Sequence, residues 1–376
     1  MRAMRTAVVA LATVVSTGAQ AAPYAALLDQ FNEIVFGNVI SGSETEGRAV
    51  ISGTLTQSGS GNYCFQTDDG TGPCGTASLP ATTPTVTGVT VGAATQSLGA
   101  LTVYGNVSGS GVTGQNGNVF IGGTNTGALS MPSNSQTAYV ATQGTSSKVG
   151  GQGNLVATAV SPGVTAGSQN GSVKTGSFVL PGFAAAFQTP LQYLSSYLNG
   201  LTGIAQGTSN AFTAAPTTIN GVKVTVYDVS GSNLAAAIRN FNFSLNGAQT
   251  VVINVIGAVS GLSTNLNTFR GQDDVIWNFA TQTSLTLPGW AGTILAPDAN
   301  LTITGVSQGD IVAASLNQGN NEIHDYAFTG DLDFVPDPTV AAVSEPGGLA
   351  VLAVGLSGVA CARRRRATGA SPAGGR

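Results

Sequence analysis

The only histidine of the chain is the first place where the sequence could carry chemistry. His324 is flanked by Glu322 and Asp325, and in a strand Glu322 and His324 would lie on the same face. A metal site needs three or more good ligands, and a hydrolytic triad needs a positioned nucleophile. Neither is evident here, so the sequence predicts a hydrogen-bonded structural histidine and no catalytic, cofactor-binding or metal site.

Three alternating charges form a second candidate. Glu44, Glu46 and Arg48 are spaced two residues apart, which in a strand would place all three side chains on one face. A buried charge without a partner is costly. We therefore predict that Arg48 pairs with a neighbouring acid in a structural ion pair rather than in a binding site.

Acidic pairs could bind calcium or act on sugars. Asp68-Asp69 and Asp273-Asp274 offer oxygen ligands, but neither pair fits the EF-hand spacing. Carboxylates for polysaccharide cleavage can come from positions distant in sequence, although the six basic residues between the chain ends are not clustered. A carbohydrate-active enzyme, either a hydrolase or a lyase, is therefore the alternative to a protein without enzymatic activity.

Two Thr-x-Thr pairs could belong to a flat threonine array that orders water, as ice binding requires. These are Thr281 with Thr283 and Thr302 with Thr304. Two pairs are too few for such an array, and threonine is a common strand residue. The pairs are therefore interpreted as strand residues.

The composition narrows the functional class. Of 376 residues, 42% are hydrophobic and 8% are charged, about a third of the charged share of an ordinary globular protein. The net charge is -4, but seven arginines lie at the two chain ends, and without them six basic residues face 17 acidic ones. An acidic body repels phosphate backbones and anionic membrane surfaces, so no nucleic-acid partner is expected.

The N-terminus is typical of a signal peptide. Residues 1–21 contain Arg2 and Arg5, then an apolar run, then small residues that end in Ala19-Gln20-Ala21. The apolar run is too short to span a bilayer. We expect export and cleavage before Ala22.

The C-terminus is predicted to be a membrane-directed tail. An acidic, proline-containing linker at residues 333–343 precedes a sorting segment at residues 344–366, in which Glu345-Pro346 is followed by an uncharged stretch and four arginines (Arg363, Arg364, Arg365 and Arg366). This order predicts a short membrane helix held by cytoplasmic positive charge. Residues 367–376 would form a cytoplasmic tail. A permanent single-span anchor is the alternative to a processed signal.

The cysteines fit an exported protein. Cys361 lies inside the tail, whereas Cys64 and Cys74 flank a short polar loop. In an oxidising compartment such a pair forms a local disulfide. A metal pair is the weaker interpretation, because no histidine or third cysteine lies nearby.

The body, residues 22–332, is predicted to be all-β. Short apolar runs such as Ala49-Val50-Ile51 alternate with turn residues. Asn246-Gly247 predicts a hairpin between residues 241–245 and 250–256. One packing helix is expected after Thr189 as its cap and Pro190, with leucines at helical spacing (Leu191, Leu194, Leu198 and Leu201).

Spacing in the second half favours a right-handed β-solenoid. Ile294 and Val312 are 18 residues apart, as are Leu285 and Ile303. A coil of that length would stack like residues above like and build an aliphatic core with few aromatic rings. A β-sandwich is the alternative, because its short strands give a similar pattern.

Two groups of residues carry a family resemblance. Residues 31–38 (FNEIVFGN) and 44–50 (ETEGRAV) resemble the opening of the choice-of-anchor A domain. Residues 252–257, 277–279, 289–299 and 322–328 are similar to its closing half. The resemblance implies an exported surface or matrix module related to collagen-binding-like adhesins, and it implies no enzyme chemistry.

The tail resembles the PEP-CTERM signal of Gram-negative bacteria, with Ser344 in the place where proline is commoner. That resemblance implies an exosortase-type processing enzyme and passage through the inner membrane.

We therefore expect a non-enzymatic adhesion or biofilm-matrix protein at the cell surface or in the extracellular matrix, transiently anchored by its C-terminal helix. A broad, low-charge polar surface of Ser, Thr, Asn and Gly would hydrogen-bond to a glycan or a fibrous protein.

Overall fold

The computed structural model describes residues 24–336, except residues 60, 66–88, 97, 134, 145–148 and 165–170. Residues Ala21–Val335 form one compact unit. Its helices are α1 (Tyr24–Gln30), α2 (Thr189–Asn199) and α3 (Leu234–Ala237). A π-helical turn at Ala184–Gln188 leads into α2, and 3-10 turns lie at Gly231–Asn233 and Gln272–Asp274.

Short strands make up most of the remaining described chain. The strands before α2 are β1 (Glu33–Val35), β2 (Val39–Ser41), β3 (Ala49–Ile51), β4 (Leu55–Gln57), β5 (Asn62–Tyr63), β6 (Val89–Val91), β7 (Ala94–Gln96), β8 (Leu101–Val103), β9 (Val107–Gly109), β10 (Val112–Gly114), β11 (Val119–Asn125), β12 (Leu129–Met131), β13 (Thr137–Gln143), β14 (Val149–Gly151), β15 (Asn154–Val160), β16 (Val173–Thr175) and β17 (Phe178–Val179). The strands after α2 are β18 (Ile204–Ala205), β19 (Ala211–Phe212), β20 (Thr217–Ile219), β21 (Val222–Ser230), β22 (Asn242–Phe243), β23 (Thr250–Ile256), β24 (Val275–Asn278), β25 (Ser284–Leu287), β26 (Trp290–Ala291), β27 (Thr293–Ile303), β28 (Ser307–Gln308), β29 (Ile311–Gly319) and β30 (Ile323–His324).

Parallel pairing stacks these strands into a solenoid with three faces. Face one consists, in spatial order, of β16, β15, β13, β11, β8, β3, β1, β29, β27, β24, β23 and β21. Face two consists of the C-terminal parts of β15, β13 and β11, then β9, β4, β2, the C-terminal parts of β29 and β27, and β25. Face three consists of β14, β12, β10, β5, the bridge residue Thr45, β30, β28 and β26.

The prediction of an all-β solenoid is therefore confirmed over the sandwich alternative, because a sandwich is built from antiparallel sheets. Handedness stays a prediction. The order of the coils in space differs from their order in sequence. Strand β1 lies between β3, the next coil along the chain, and β29 from the end of the body. The solenoid thus consists of a first half, residues 33–175, and a second half, residues 222–324, that meet at β1.

The inside of the solenoid is mainly aliphatic. Its inward ladder runs through Ile294, Ile311, Ala49, Leu101 and Val119, all fully buried. The ladder has one exception, since Glu33 occupies the inward position between Ile311 and Ala49. Burial of stacked aliphatic residues stabilises the coils at about 25 cal/mol per Å² of apolar surface.

The predicted coil length of 18 residues is found where Leu101 pairs with Val119 and where Leu155 pairs with Val173, but the residues from which it was predicted pair at shorter spacings. Ile294 pairs with Ile311 and Leu295 with Val312, so this repeat is one residue shorter than the 18 predicted. Leu285 pairs with Leu301, and Ile303 pairs with Leu287, so that repeat is two residues shorter. The coils differ in length because their corner loops differ, while the inward ladder keeps its register.

The predicted hairpin at Asn246-Gly247 is wrong. The turn itself forms, with φ of 48° at Asn246 and 89° at Gly247, as such a dipeptide favours. Strand β23 after it, however, pairs in parallel with β21 on one edge and β24 on the other. Both of its edges are therefore occupied, and β22 pairs with β19 instead.

The predicted helix α2 exists, and it covers face one. Leu191, Leu194 and Leu198 are buried in one cluster with the outward residues of face one and with α1. The sequence did not predict α1. Thr189 is not the cap, because the chain is already helical through the π-turn before it.

Buried asparagines fix α2 on the sheet. Asn278 donates to the carbonyl oxygen of Ser195 and to Oδ1 of Asn254, each at 2.9 Å, and accepts from Oγ of Ser195 at 2.6 Å. Asn254 donates to the carbonyl oxygen of Leu198 at 2.9 Å. These bonds satisfy buried polar groups that would otherwise be costly, and they hold α2 against β23 and β24.

Candidate binding face

Face two carries a repeated three-residue pattern. In eight neighbouring coils an outward residue, a buried inward residue and a second outward residue follow one another, and the outward residues are small in all but one case, Ile40. The outward pairs, in spatial order, are Ser284 and Thr286, Asn300 and Thr302, Ser315 and Asn317, Asn38 and Ile40, Thr54 and Thr56, Asn106 and Ser108, Thr124 and Thr126, and Thr142 and Gly144. We call these sixteen residues the polar grid.

The geometry of the parallel strands sets the spacing of the residues in the polar grid. Parallel strands lie about 4.8 Å apart, and alternate residues along a strand lie about 6.6 Å apart. The grid residues are exposed or half-exposed, and their inward neighbours, such as Leu55 and Val107, are buried. The result is two columns of small side chains with a fixed repeat along the solenoid.

Hydrogen bonds within the grid hold several of its side chains in place. Oδ1 of Asn38 accepts from the backbone N–H of Thr54 at 2.9 Å, and Oδ1 of Asn106 accepts from that of Thr124 at 2.7 Å. Oγ of Ser315 donates to Oδ1 of Asn300 at 2.7 Å. Side chains that are already ordered lose less conformational entropy when they bind a ligand.

The chemistry of the grid is that of hydroxyls, amides and methyl groups. It contains neither a charged nor an aromatic side chain, and its one large apolar residue is Ile40, which is 52% exposed. Such a surface can donate and accept hydrogen bonds along an extended, uncharged ligand. It offers neither a charge for an ionic substrate nor a carboxylate for acid–base catalysis.

Sequence reasoning found only one residue of the grid. Thr302 belongs to it, paired with Asn300 rather than with Thr304, whose hydroxyl donates to the carbonyl oxygen of Leu287. Thr281 and Thr283 precede β25 in a turn. The signal missed in the sequence is a repeated triplet: a small polar residue, an inward residue that is usually Leu or Val, and a second small polar residue. Two of these triplets, at residues 54–56 and 124–126, are themselves Thr-x-Thr pairs.

Face three carries the histidine. Nδ1 of His324 lies 3.2 Å from Oε1 of Gln308, and Nε2 lies 3.0 Å from Oε2 of Glu322 and 3.8 Å from Oε1 of Glu46. Glu322 and His324 thus share a face, as predicted, and the histidine is hydrogen-bonded. Among the described residues, no group of three His, Cys, Asp or Glu side chains is arranged to hold a metal ion.

The strand predicted through Glu44, Glu46 and Arg48 does not form. Only Thr45 makes a bridge there, to Tyr63 and Ile323. Oε1 of Glu44 accepts from Nδ2 of Asn62 at 2.7 Å. Arg48 lies near an acid, as predicted, and that acid is Asp325: burial lowers the pKa of Arg48, and the negative charge of Asp325 raises it.

The two acidic pairs considered as calcium ligands are Asp273 with Asp274 and Asp68 with Asp69. Asp273 and Asp274 both accept from the Thr329 hydroxyl, at 3.2 Å and 2.9 Å. Burial raises the pKa of Asp274, the Thr329 bond lowers it, and Asp273 raises it further. Asp68 and Asp69 lie outside the described residues.

Several predicted processing residues also lie outside the described residues. They are Ala19, Ala21, Cys74, Glu345, Pro346 and Arg363 to Arg366, together with the predicted C-terminal membrane helix. Cys64 is disulfide-bonded, and its pairing with Cys74 stays a prediction. In the part of the chain that the structure describes, no helix is long and apolar enough to cross a bilayer.

Comparison with known proteins gave one family match. A family model described as "Putative Ice-binding-like adhesive domain" matches residues 24–325. The crystal structure of an ice binding protein from an Antarctic bacterium of the Flavobacteriaceae aligns at 15% identity and a TM-score of 0.21, covering 80% of this chain and 97% of that chain. No curated protein matches the sequence.

Proposed function

We propose that this chain, which belongs to the family of ice-binding-like adhesive domains, is an exported surface or extracellular-matrix protein that adheres through face two. The observation that carries the proposal is the polar grid, repeated over eight neighbouring coils. Single hydrogen bonds from such groups are weak, and they gain strength when many act together. The ligand class is a hydroxyl-rich glycan or a fibrous matrix protein.

The family match and the grid support a protein without enzymatic activity. A carbohydrate-active enzyme on this solenoid is the alternative, and it would need two carboxylates about 5 to 9.5 Å apart on the surface that faces the sugar. The polar grid contains no carboxylate. Binding without cleavage is therefore the function that face two supports best.

Export and sorting rest on the chain ends. We propose that residues 1–21 are removed after Ala21, that the body is a choice-of-anchor A domain, and that the PEP-CTERM-like tail passes through the inner membrane before an exosortase-type enzyme processes it. The mass of the surface species tests this directly. It should lack Arg363 to Arg366, and detection of the complete tail in the mature surface protein would contradict processing.

The disulfide supports an oxidising location. Cys64 is disulfide-bonded, and Cys74 is its proposed partner because Cys361 belongs to the tail that processing would remove. Both cysteines should resist alkylation until the purified protein is reduced. Prompt labelling of Cys64 and Cys74 without a reductant would contradict the pairing.

A matched pair of arginine substitutions tests adhesion through face two. Thr56→Arg places a charged, bulky side chain in the polar grid, whereas Thr113→Arg places the same side chain on face three. The fraction of purified protein bound to insoluble polysaccharides and to fibrous matrix protein is measured. Thr56→Arg should weaken binding by at least about tenfold, which corresponds to about 1.4 kcal/mol, and Thr113→Arg should not. Equal losses in both variants, or no binding by the unmodified protein, would count against face two.

Ice is the second candidate ligand. It is favoured by the description of the family and by the Thr-x-Thr pairs of the grid at Thr54 with Thr56 and Thr124 with Thr126. Retention of the protein in slowly growing ice measures this function. If Thr56→Arg abolishes retention in ice and the protein binds no polysaccharide or matrix protein, ice replaces them as the ligand.

A further inference from the structure

All buried acidic side chains of the described residues lie at one plane of the solenoid. They are Glu33, Glu46, Asp310 and Asp325, with exposed fractions of 6% or less. The plane is the contact of β1, β2 and Thr45 with β29 and β30, where the first half of the solenoid meets the second. We call this contact the junction.

In two of these carboxyl groups only one of the two oxygens has a hydrogen-bond partner. Oε2 of Glu33 accepts from the Thr45 hydroxyl at 2.9 Å, and Oε1 has no hydrogen-bond partner among the described residues. Oδ2 of Asp310 accepts from the Thr293 hydroxyl at 3.1 Å and from the N–H of Phe328 at 3.0 Å, whereas Oδ1 has none. Neither group has a basic partner in the part of the chain that the structure describes.

The charges around the junction do not balance. The charge of Glu33 acts on Tyr63. The charges of Asp325 and Asp29 act on Asp310, and Arg48 interacts electrostatically with Asp325. Glu46 accepts from the N–H of Asp325 and lies near His324. Within the described part of the chain, Glu33 and Asp310 lack a basic partner, so their ionisation would leave uncompensated charge inside the solenoid.

Protonation relieves that imbalance. Burial raises the pKa of Glu33 to about 7, although the Thr45 bond lowers it. Burial and then the charge of Asp325 raise the pKa of Asp310 well above its usual range. In acidic solution both groups are neutral, and as the pH rises their ionisation favours the entry of water between β1 and β29.

The junction also crosses the polar grid. Ile40 of β2 pairs with Asn317 of β29, so three of the eight coils of the grid lie on one side of the plane and five on the other. Separation of β2 from β29 would interrupt the repeat at this point. The proposed adhesive function therefore depends on closure of the junction.

We propose that the junction is a pH-dependent closure: the two halves of the solenoid are held together in acidic solution, and they loosen at this plane in alkaline solution, which divides the polar grid. The effect on adhesion rests on the proposed function of face two. The closure itself does not.

Hydrogen exchange at single amides tests the closure. The N–H groups of Ile311, Leu316 and Ile323 donate across the junction to residues 32, 38 and 44, whereas those of Leu55 and Trp290 donate within the first and the second half. Between pH 6 and pH 9, after correction for the intrinsic exchange rate, protection of the first three should fall at least about tenfold. Protection of the other two should not change.

Three variants test whether ionisation of the buried acids causes the alkaline loss of protection. Glu33→Gln and Asp310→Asn keep the shape of the neutral acids and should each reduce the alkaline loss of protection, so either suffices if the other does not fold. Glu322→Gln changes a half-exposed carboxylate nearby and should leave the loss unchanged. Equal loss at all five amides, or an unchanged loss in both buried-acid variants, would overturn the closure.

Binding at the two pH values separates this inference from the proposed function. If the junction behaves as described and the protein binds its ligand less at pH 9, with binding restored by Glu33→Gln, the closure regulates face two. Absence of binding at both pH values would overturn the adhesive function and leave the closure standing. Undiminished binding at pH 9 despite loss of protection would overturn the regulation of face two.

Discussion

Faces one and two share strands, yet helices cover face one whereas face two is open to solvent. Strands β11, β13, β27 and β29 each contribute one part to face one and another part to face two. On face one the outward column runs through apolar residues such as Leu295, Val312, Ile34, Val50 and Phe120, and helices α1 and α2 cover it. On face two the outward residues are small, mostly polar and open to solvent.

The difference shows that backbone pairing does not determine what a solenoid face does. The parallel ladder and the inward aliphatic column are similar on both faces. The outward side chains decide whether a face must be covered, because apolar residues gain free energy by leaving water and hydroxyl and amide groups do not. A face with polar outward residues can remain free for a ligand.

The largest expected effect is at the covered face. Phe120 is fully buried, and its ring stacks on Tyr139 with 4.9 Å between centroids. Phe120→Ala should lower the free energy of unfolding by about 3 to 5 kcal/mol, because it removes a large apolar contact and leaves a cavity. Chemical denaturation measures the change. A loss below about 1 kcal/mol would mean that the helices do not depend on this column.

A smaller effect on stability is expected from Glu33, the acid in the inward ladder of face one. The pKa of Glu33 is about 7 in the folded protein against an ordinary 4.5, so the folded state holds the proton more tightly than the unfolded state. Its contribution is complete below pH 4.5, and it is lost as the pH rises through 7, a fall of about 3 kcal/mol. Unfolding at pH 5 and pH 8 measures this fall.

Glu33→Gln is the matched variant for that experiment. It should remove the part of the fall between pH 5 and pH 8 that Glu33 causes, because glutamine stays neutral at both values, and leave the part that the raised pKa of Asp310 causes. Thermal unfolding of Glu44→Gln, whose carboxylate lies in a half-exposed position on face three, should follow the unmodified protein. If stability rose between pH 5 and pH 8, Glu33 would not hold a proton in the folded state.

The asparagine bonds beneath α2 should contribute less. Asn278→Ala removes three hydrogen bonds and leaves the carbonyl oxygen of Ser195 and Oδ1 of Asn254 without this donor. We expect a loss of about 1 to 3 kcal/mol, measured by denaturant unfolding. Asn300→Ala in the polar grid is the control, and an equal loss there would remove the distinction between the covered and the open face.

The smallest effect on stability is expected in the polar grid itself. Thr124→Ala lies on the same strand as Phe120 and should change the free energy of unfolding by less than about 0.5 kcal/mol, because its side chain is partly exposed. Ligand binding, in contrast, should weaken measurably. A stability loss comparable to that of Phe120→Ala would show that face two is held by packing rather than free for a ligand.

Much of the fold could be predicted from local patterns. The strand at Ala49–Ile51 and the helix with Leu191, Leu194 and Leu198 form where the apolar pattern placed them. The hairpin failed, because the conformation of Asn246-Gly247 is local but the partners of β23 are chosen by the whole stack. The coil length of 18 residues is met between Leu101 and Val119 but not between Ile294 and Ile311, because the corner loops vary in length from coil to coil.

The candidate site was less predictable. Thr302 was found as half of a threonine pair, but its neighbours in the grid are Asn300, Thr286 and Asn317. No local signal could place Asn317 beside Ile40, because these residues belong to the two ends of the body and meet only where β29 pairs with β2. The acidic junction was missed for the same reason.

The sequence by itself determined the repeated alternation of small polar and aliphatic residues, the low charge and the few helical segments, because these follow from side-chain type and spacing within one coil. Only the tertiary structure decided which coils are neighbours, that β1 closes the solenoid between β3 and β29, and that Glu33 and Asp310 are buried at that contact. The physical reason is that parallel strands pair across long separations in sequence, where the free energy of the complete stack selects the partner and no short segment can.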